Sequence, residues 1–391
     1  MITKRPECTG CFACKQICPV KAITISYDKD GYMYPEVDVS KCVSCHLCDK
    51  ICPIDKDVSE KKNQKVYAFM NDDSEVIKRS SSGGFFPAIA EYVIKKKGVV
   101  FGCVFSDNLK AIHRSAKTLE ELCYMQGSKY VQSYVGDTYI EAEQDLKSGK
   151  LVLYSGTPCQ IDGLNFYLKQ KYANLITVDI ICHGVPNQIM LDNELRWFGY
   201  KNGGSVTKIN FRDKSVNGWN LIGSISIGNK KHLLYPYNNP YYFFFDSGNS
   251  YRESCYTCKY ANLNRISDFT IGDFWGIERS NITSPENLAK GVSLIIVNSE
   301  KAERILQLVR SNGLCIEQEM SSALRENNQL IHPVPMAKRD PTLIFLYHEA
   351  RMEEVDLEFK RRLGNTKILK MIKTFVPVSL KFRLKRLRRN G

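Results

Sequence analysis

The chain has 391 residues, of which 43% are hydrophobic and 25% are charged, proportions typical of a globular protein with a large buried core. No apolar run reaches the roughly 18 residues of a membrane-spanning helix, and the first ten residues hold no apolar signal segment, so we expect a cytoplasmic protein. The net charge of +13 comes from residues 360–391, with twelve Lys and Arg but no Asp or Glu; without a stacking platform or binding motif, it predicts no nucleic-acid partner.

Two cysteine runs of the same spacing lie near the start of the chain. Each reads C-x2-C-x2-C-x3-C-P, which is typical of paired 4Fe-4S clusters in which the fourth cysteine of each run binds the other cluster. Zinc needs only four thiolates and explains neither the third evenly spaced cysteine nor the Cys-Pro ending. We therefore predict a first cluster site (Cys8, Cys11, Cys14 and Cys52) and a second cluster site (Cys42, Cys45, Cys48 and Cys18).

The segment between the two runs predicts a β-hairpin. AITISYDKDGYMYPEVDV alternates apolar and polar residues on either side of Asp30-Gly31, a dipeptide typical of tight hairpin turns. The charged stretch DKDVSEKKNQK follows the second run and is typical of a linker. We therefore expect residues 1–60 to form a bacterial-ferredoxin-like dicluster module.

The remainder of the chain predicts a mixed α/β body over residues 61–350, so the fold class is α+β or α/β. Short apolar runs at 98–105, 150–156 and 174–182 are typical of buried strands and alternate with helical patterns. This alternation predicts some parallel pairing, with ligands at the carboxyl ends of the strands.

Four cysteines of the body could form a third cluster site. Cys159 and Cys182 each follow a predicted strand, and Cys255 and Cys258 form an isolated C-x2-C pair. Four thiolates are the number that a 4Fe-4S cluster needs. On spacing alone, a zinc site and buried inert thiols remain alternatives.

Two loops are typical of anion binding. Ser80 to Gly84 directly precede an apolar helical pattern, where serine caps and open backbone N–H groups suit a nucleotide pyrophosphate, although an ordinary capped helix is the alternative. Ser128 and Lys129 lie in a second such loop. The G-x-G-x-x-G fingerprint after a strand is absent, which argues against a standard nicotinamide-binding fold.

Several motifs in chain order resemble one family over most of residues 65–345. SSGG, GSKYVQS, GTPCQIDGL, DIICHGVP, CYTCKYANLNRISDFTIGDFWG and KGVSLIIV resemble the beta-subunit family of hydrogenases and dehydrogenases that use coenzyme F420, a deazaflavin. The resemblance implies a third 4Fe-4S cluster beside FAD. It places flavin contacts at Ser81, Ser82, Gly83, Gly84, Ser128 and Lys129, with Thr157 and Pro158 near the ring.

The resemblance and the electron count together predict a function. A flavin accepts single electrons and exchanges a hydride, so FAD would join iron–sulfur clusters to a two-electron acceptor. We expect an oxidoreductase that takes electrons from ferredoxin or another redox protein, and that exchanges hydride with the deazaflavin or another small molecule. The alternative is an electron carrier or adaptor without flavin that docks a partner redox protein.

No catalytic acid or base can be named from the sequence. His183, next to Cys182, is either a proton donor or a hydrogen-bonding neighbour of a cluster. Asp268, Asp273 and Trp275 either shape a pocket or form a tight turn packed on the core.

The basic tail, residues 351–391, has its own pattern. Ile368, Ile372 and Phe375, then Leu380, Leu384 and Leu387, recur at helical spacing among the cations. Such a segment suits an anionic membrane surface. A solvated tail or a helix docked on the body remain equal alternatives.

Overall fold

In the computed structural model, residues 6–58, 60, 63–280, 282–364 and 374–387 are described. The strands are β1 (Ile23–Tyr27), β2 (Met33–Val37), β3 (Lys65–Asn71), β4 (Val99–Phe105), β5 (Ala111–Ala116), β6 (Val152–Gly156), β7 (Leu175–Ile180), β8 (Val206–Asn210), β9 (Gly223–Ile227), β10 (Lys230–Leu234), β11 (Phe269–Asp273), β12 (Ser293–Val297) and β13 (Gly313–Gln318). The α-helices are α1 (Ala13–Ile17), α2 (Leu47–Lys50), α3 (Ser74–Arg79), α4 (Phe85–Lys95), α5 (Leu119–Cys123), α6 (Thr138–Lys147), α7 (Pro158–Leu168), α8 (Gln188–Lys201), α9 (Pro240–Ser247), α10 (Pro285–Leu288), α11 (Glu300–Val309), α12 (Met320–Leu324), α13 (Pro341–His348), α14 (Met352–Leu363) and a C-terminal helix (Val378–Leu387).

The predicted N-terminal hairpin is present. β1 and β2 pair antiparallel, and the turn passes through Gly31 at φ +79°, a left-handed conformation that favours glycine. The hairpin is bonded to the body, because Tyr32 donates its hydroxyl to the Ser250 carbonyl (3.0 Å) and Arg339 pairs with Asp30 (2.6 Å). The domain limits at residues 60 and 350 stay predictions.

An eight-stranded sheet forms the centre of the body, in the order β13-β3-β12-β11-β7-β6-β4-β5. The pairs β4–β6, β6–β7 and β7–β11 are parallel, which confirms the predicted parallel pairing. β3 runs the same way, since β12 is antiparallel to both β3 and β11. Five strands therefore end at one edge of the sheet, which we call the carboxyl edge.

Both faces of this sheet are covered by helices. Along a strand, successive side chains point to opposite faces. Val100 and Leu153 accordingly pack in one core with Ile89 of α4, whereas Phe101 packs in another with Ile161 of α7. Strands buried on both faces read as continuous apolar runs, which is why these strands were predictable.

A buried carboxyl group joins three helices in a separate core beside the three-stranded sheet β8–β10. Glu194 of α8 accepts hydrogen bonds from Asn239 at the start of α9 (2.7 Å) and from Tyr347 of α13 (3.1 Å). Burial raises the pKa of Glu194 to about 7. A raised carboxyl pKa means that stability is full below the ordinary pKa of 4.5 and falls as the pH rises through 7.

We expect Glu194→Gln to remove this pH-dependent loss, which is worth roughly 3 kcal/mol once the pH exceeds 7 and the carboxyl group is ionised in the folded protein as well as in the unfolded chain. The melting temperature of the variant should therefore exceed that of the wild type by more at pH 8 than at pH 6. Thermal unfolding at the two pH values measures the difference. Glu353→Gln, at an exposed glutamate of α14, is the control, and a pH-independent gap for Glu194→Gln would contradict the prediction.

The C-terminal helix is docked on the body. Val378 and Phe382 are buried in the core that also contains Val66 of β3 and Leu294 of β12. Lys385 pairs with Glu278 (2.5 Å). This favours the docked-helix alternative over a solvated tail for residues 378–387. Contact of the exposed Leu380 and Leu384 with an anionic membrane stays a prediction, and Ile368 and Ile372 lie outside the described residues. No helix in the described ranges has the length and apolar character needed to cross a bilayer.

Candidate redox site

A cavity of about 320 Å³ opens at the carboxyl edge of the central sheet. It is lined by the end of β6 at Gly156, the end of β7 at Ile180 and the end of β11 at Asp273. The four cysteines of the third cluster site line it. So do seven of the eight predicted flavin-contact residues: Ser81, Ser82, Gly84, Ser128, Lys129, Thr157 and Pro158.

The third cluster site is assembled from three parts of the chain. Pro158 occupies the first turn of α7, where its fixed φ suits the helix start, and Gln160 Oε1 accepts the N–H of Thr157 (2.9 Å). This start fixes Cys159 at the mouth of the cavity. Cys182 follows β7, and Cys255 ends a 3-10 turn.

The four thiols of the third cluster site are half-buried and close enough to influence one another. Burial, together with the neighbouring Cys159 and Cys258, raises the pKa of Cys182 to about 12. Burial also raises the pKa of Cys255, with contributions from the other three thiols. Iron binding requires thiolates, so these groups would release protons as a cluster assembles.

A single bound metal ion would need ligands that converge more tightly than the ligands of a 4Fe-4S cluster do. Within the described ranges, no three His, Cys, Asp or Glu side chains converge tightly enough to hold one metal ion. A 4Fe-4S cube instead takes one thiolate at each of four irons, so its ligands are spread around a cavity.

The structure brings the four cysteines of the first cluster site together. Cys8, Cys11, Cys14 and Cys52 line one small cavity of about 20 Å³, with Pro53 beside them. Cys52 comes from the second run, so its place at this cavity is compatible with crossed ligands, and the ligation itself stays a prediction.

The second cluster site lies nearer the protein surface. Cys45 is exposed, whereas Cys18, Cys42 and Cys48 are half-buried. Burial raises the pKa of Cys14, and Cys48 adds to the rise, so the second cluster site adjoins the first.

The first and third cluster sites are neighbours. Gly163 of α7 packs directly on Cys11, because an added Cβ there would lie 2.9 Å from the Cys11 Cβ and 3.0 Å from its Sγ. Thr9 lines both cavities, and its hydroxyl hydrogen-bonds the Cys159 thiol, which opposes the rise in pKa that burial causes. The three cluster sites therefore follow one another from the surface to the large cavity.

The serine-rich loop, residues 80–84, is held against the sheet and lines the same large cavity. Ser81 and Ser128 share a hydrogen bond between their hydroxyls (2.7 Å), as do Ser82 and Ser293 (2.9 Å). Gly83 touches the sheet backbone so closely that no other residue fits.

None of the serines of this loop caps the helix that follows it. Gly84, at φ +83°, is the N-cap of α4 and makes no side-chain cap hydrogen bond, so the expected cap from the loop serines is wrong here. Ser293 of β12 instead accepts the N–H of Phe85 (3.4 Å), and Pro87 has no N–H, so the first turn of α4 presents at most the N–H groups of Gly84 and Phe86 to an anion.

Lys129 does not reach into the cavity as a free cation. Its ammonium donates to the carbonyl oxygens of Tyr124, Met125, Gln126 and Gly127, at 2.9 to 3.1 Å. Burial lowers its pKa to about 8. In this structure Lys129 closes the loop that presents Ser128, and its predicted contact with a phosphate stays a prediction.

Two cations support the serine-rich loop from behind. Arg212 donates to the Ser81 carbonyl (3.2 Å) and to both carboxylate oxygens of Asp273, and Lys214 donates to the Ser82 carbonyl (2.5 Å). Asp273 therefore lines the cavity and also anchors its wall, as does Trp275, over which Arg212 lies.

His183 and Asp268, which the sequence analysis also named, have different positions. His183 lines the cavity, and burial lowers its pKa, so it is neutral at pH 7. Asp268 instead accepts the N–H of Thr177 (2.9 Å) and the hydroxyl of Ser299 (2.7 Å), which is a structural role between β7 and α11.

Two regions of the chain match known protein families. Residues 149–323 match the family described as the C terminus of the coenzyme F420 hydrogenase/dehydrogenase beta subunit, and residues 7–56 match the 4Fe-4S dicluster domain. The chain therefore combines a dicluster domain with a region similar to this beta-subunit family. It is an iron–sulfur electron-transfer protein that resembles an oxidoreductase subunit.

One solved structure is similar to the chain at low sequence identity. A chain of the xenon-derivatised F420-reducing nickel–iron hydrogenase complex from Methanosarcina barkeri is 13% identical, with a TM-score of 0.45 over 80% of this chain and 96% of that chain. No curated protein matches the sequence.

Sequence analysis missed several residues around the cluster sites and the large cavity. Thr9 lies between Cys8 and Gly10 of the first run, and Arg252 lies three residues before Cys255. In the sequence, each of these two residues could have been noticed because it lies close to a predicted cluster ligand. Arg212 and Lys214 carry no such signal, because they follow β8 without any recognisable motif.

Proposed function

We propose that this chain is an FAD-dependent iron–sulfur oxidoreductase that relays electrons between ferredoxin-type clusters and a small organic molecule. The observation that carries the proposal is the single cavity at the carboxyl edge. Its lining includes both the four cysteines of the third cluster site and the serine-rich loop with the start of α4. A flavin that takes electrons from a cluster needs both sets of residues in one cavity.

The order of the three cluster sites supports a relay. Electrons from a ferredoxin or another redox protein would enter at the second cluster site, where Cys45 is exposed. They would pass the first cluster site and then the third, because Cys11 packs on α7, the helix that carries Cys159 in its first turn. The same order of cluster sites would also allow electrons to flow in the reverse direction.

The walls of the cavity suit the two ends of FAD. Ser81, Ser82, Ser128 and the N–H groups at the start of α4 would bind the pyrophosphate, since hydroxyls and a helix start favour an anion. Thr157 and Pro158 would hold the ring beside Cys159. When bound, FAD supplies the exchange between single electrons and a hydride.

The hydride partner is a small molecule that reaches the open cavity. The match of residues 149–323 to the F420 hydrogenase/dehydrogenase beta-subunit family supports a deazaflavin coenzyme, and another organic acceptor would use the same chemistry. His183 is neutral beside the third cluster site and would act there as a hydrogen-bonding neighbour.

The proposal is tested by purifying the full chain without oxygen and measuring iron, sulfide and released flavin together. We expect about twelve irons per chain, four for each of three clusters, with one FAD. About eight irons and no flavin would overturn the proposal in favour of an electron-carrier or adaptor protein that docks a partner redox protein.

A further inference from the structure

Arg252 joins the first and third cluster sites. Its carbonyl accepts the N–H of Cys255 (2.9 Å), and its own N–H donates to the Val185 carbonyl (2.9 Å), three residues beyond Cys182. The side chain leaves this segment and reaches the first run, where Nε donates to the Cys8 carbonyl (2.6 Å). One residue is thus bonded to the ligand-bearing backbone of both sites.

The guanidinium of Arg252 is 0% exposed, yet its environment is largely neutral. Nη1 donates to the Met33 carbonyl (2.9 Å) and to Gln132 Oε1 (3.3 Å), and the group lies 4.2 Å from the centre of the Tyr34 ring. Nη2 has no hydrogen-bond partner. No carboxylate among the described residues forms an ion pair with Arg252.

The other buried arginines of the body are neutralised. Arg212 pairs with Asp273 (2.5 Å), and Arg265 pairs with Asp179 (2.8 Å). A buried charge without a counter-charge is strongly destabilising, so Arg252 needs an anion from another source. Clusters bound by four thiolates are anionic centres, and they would lie on both sides of this guanidinium.

We infer that Arg252 is a shared counter-cation of the first and third clusters and that it raises the reduction potential of both. A reduced cluster carries one more negative charge than an oxidised one, so a fixed cation in a medium of low dielectric favours the reduced form. The burial that raises the pKa of Cys159 is opposed by the Arg252 charge, in agreement with this position.

The consequence is an inward gradient for single electrons. The hydrogen bonds of Arg252 go to the first and third cluster sites and none joins it to Cys18, Cys42, Cys45 or Cys48 within the described ranges, so the second cluster gains less from its charge. An electron that passed from the second cluster to the first would oxidise the second and reduce the first, and the positive charge of Arg252 would favour this direction. No bond forms or breaks and no proton moves, since the guanidinium stays protonated.

The inference rests on the proposed function for the placement of the clusters, and redox titration followed by electron paramagnetic resonance tests it. In full-length Arg252→Gln, we expect the equilibrium constant for reducing the first and third clusters to fall about tenfold each, or about 59 mV for one electron. The second cluster is the internal reference and keeps its potential. Arg252→Lys, which retains the charge, should stay close to the wild type.

A second variant covers loss of iron from Arg252→Gln. Gln132→Glu places a carboxylate beside Nη1 and neutralises the guanidinium without removing it, so the same two potentials should fall. With twelve irons and a flavin present, unchanged potentials in both variants, or an equal shift of all three clusters, would overturn the role of Arg252 alone. Eight irons in the wild type would overturn the proposed function as well.

Discussion

Replacing Cys255 and Cys258 together with serine is expected to lower the iron content from about twelve to about eight per chain, because one of three four-iron clusters loses two ligands. Both thiols are half-buried and line the large cavity together with Cys159 and Cys182. Iron analysis of anaerobically purified protein measures the loss. The eight remaining irons belong to the N-terminal sites, whose cysteines are untouched.

The matched control for this variant is Cys123→Ser with Cys315→Ser. These two cysteines lie outside the cavities of the first and third cluster sites, so iron should stay at about twelve. Iron that is unchanged in Cys255→Ser/Cys258→Ser would mean that the third cluster site is misassigned. An equal loss in the control would point to general instability instead.

The candidate cluster ligands could be predicted because iron–sulfur sites have a characteristic spacing of cysteines along the chain. Eight cysteines lie in two short runs, and the C-x2-C pair at Cys255 and Cys258 is equally local. Cys159 and Cys182 were predictable for another reason, since each follows an apolar strand. Parallel strands end at a common edge, so residues that follow them meet even when they are far apart in the chain.

The electrostatic surroundings of these ligands were not predictable. The hydrogen bond from Arg252 to Cys8 joins residues 244 apart, and no spacing in the sequence encodes it. The approach of Gly163 to Cys11 likewise depends on how the dicluster module sits on α7. Lys129 was predicted to be a phosphate ligand because its motif is cationic, but four carbonyl groups of its own loop surround its ammonium.

The serine-rich loop illustrates the same division. Ser81 to Gly84 stand out because small residues precede a helical pattern, which indicates a backbone that approaches something closely. What it approaches, the Phe69 carbonyl of β3 and the Ser293 N–H of β12, follows only from the antiparallel register of those strands. The structure therefore supplies the reason why glycine occupies position 83.

That close approach makes Gly83→Ala the most disruptive single change expected for flavin binding. An added Cβ would lie 2.0 Å from the Phe69 carbonyl oxygen and 2.6 Å from the Ser293 nitrogen, both of which are sheet backbone. The sheet cannot yield, so the loop must move and take Ser81 and Ser82 away from the cavity wall. We expect the flavin content to fall at least tenfold while iron stays near twelve, measured on the same anaerobic preparation.

Gly149→Ala is the control for backbone strain. Gly149 has φ +84° and nothing within 4 Å of an added Cβ, in the turn between α6 and β6. It therefore incurs the left-handed strain of roughly 1–2 kcal/mol without touching the cavity, and flavin should be retained. Full flavin in Gly83→Ala would show that the cofactor does not depend on this loop, whereas loss of iron together with flavin would indicate global unfolding. Selective loss of flavin would link the serine-rich wall to the cofactor and leave the cysteine wall intact, which is the separation of roles that the cavity implies.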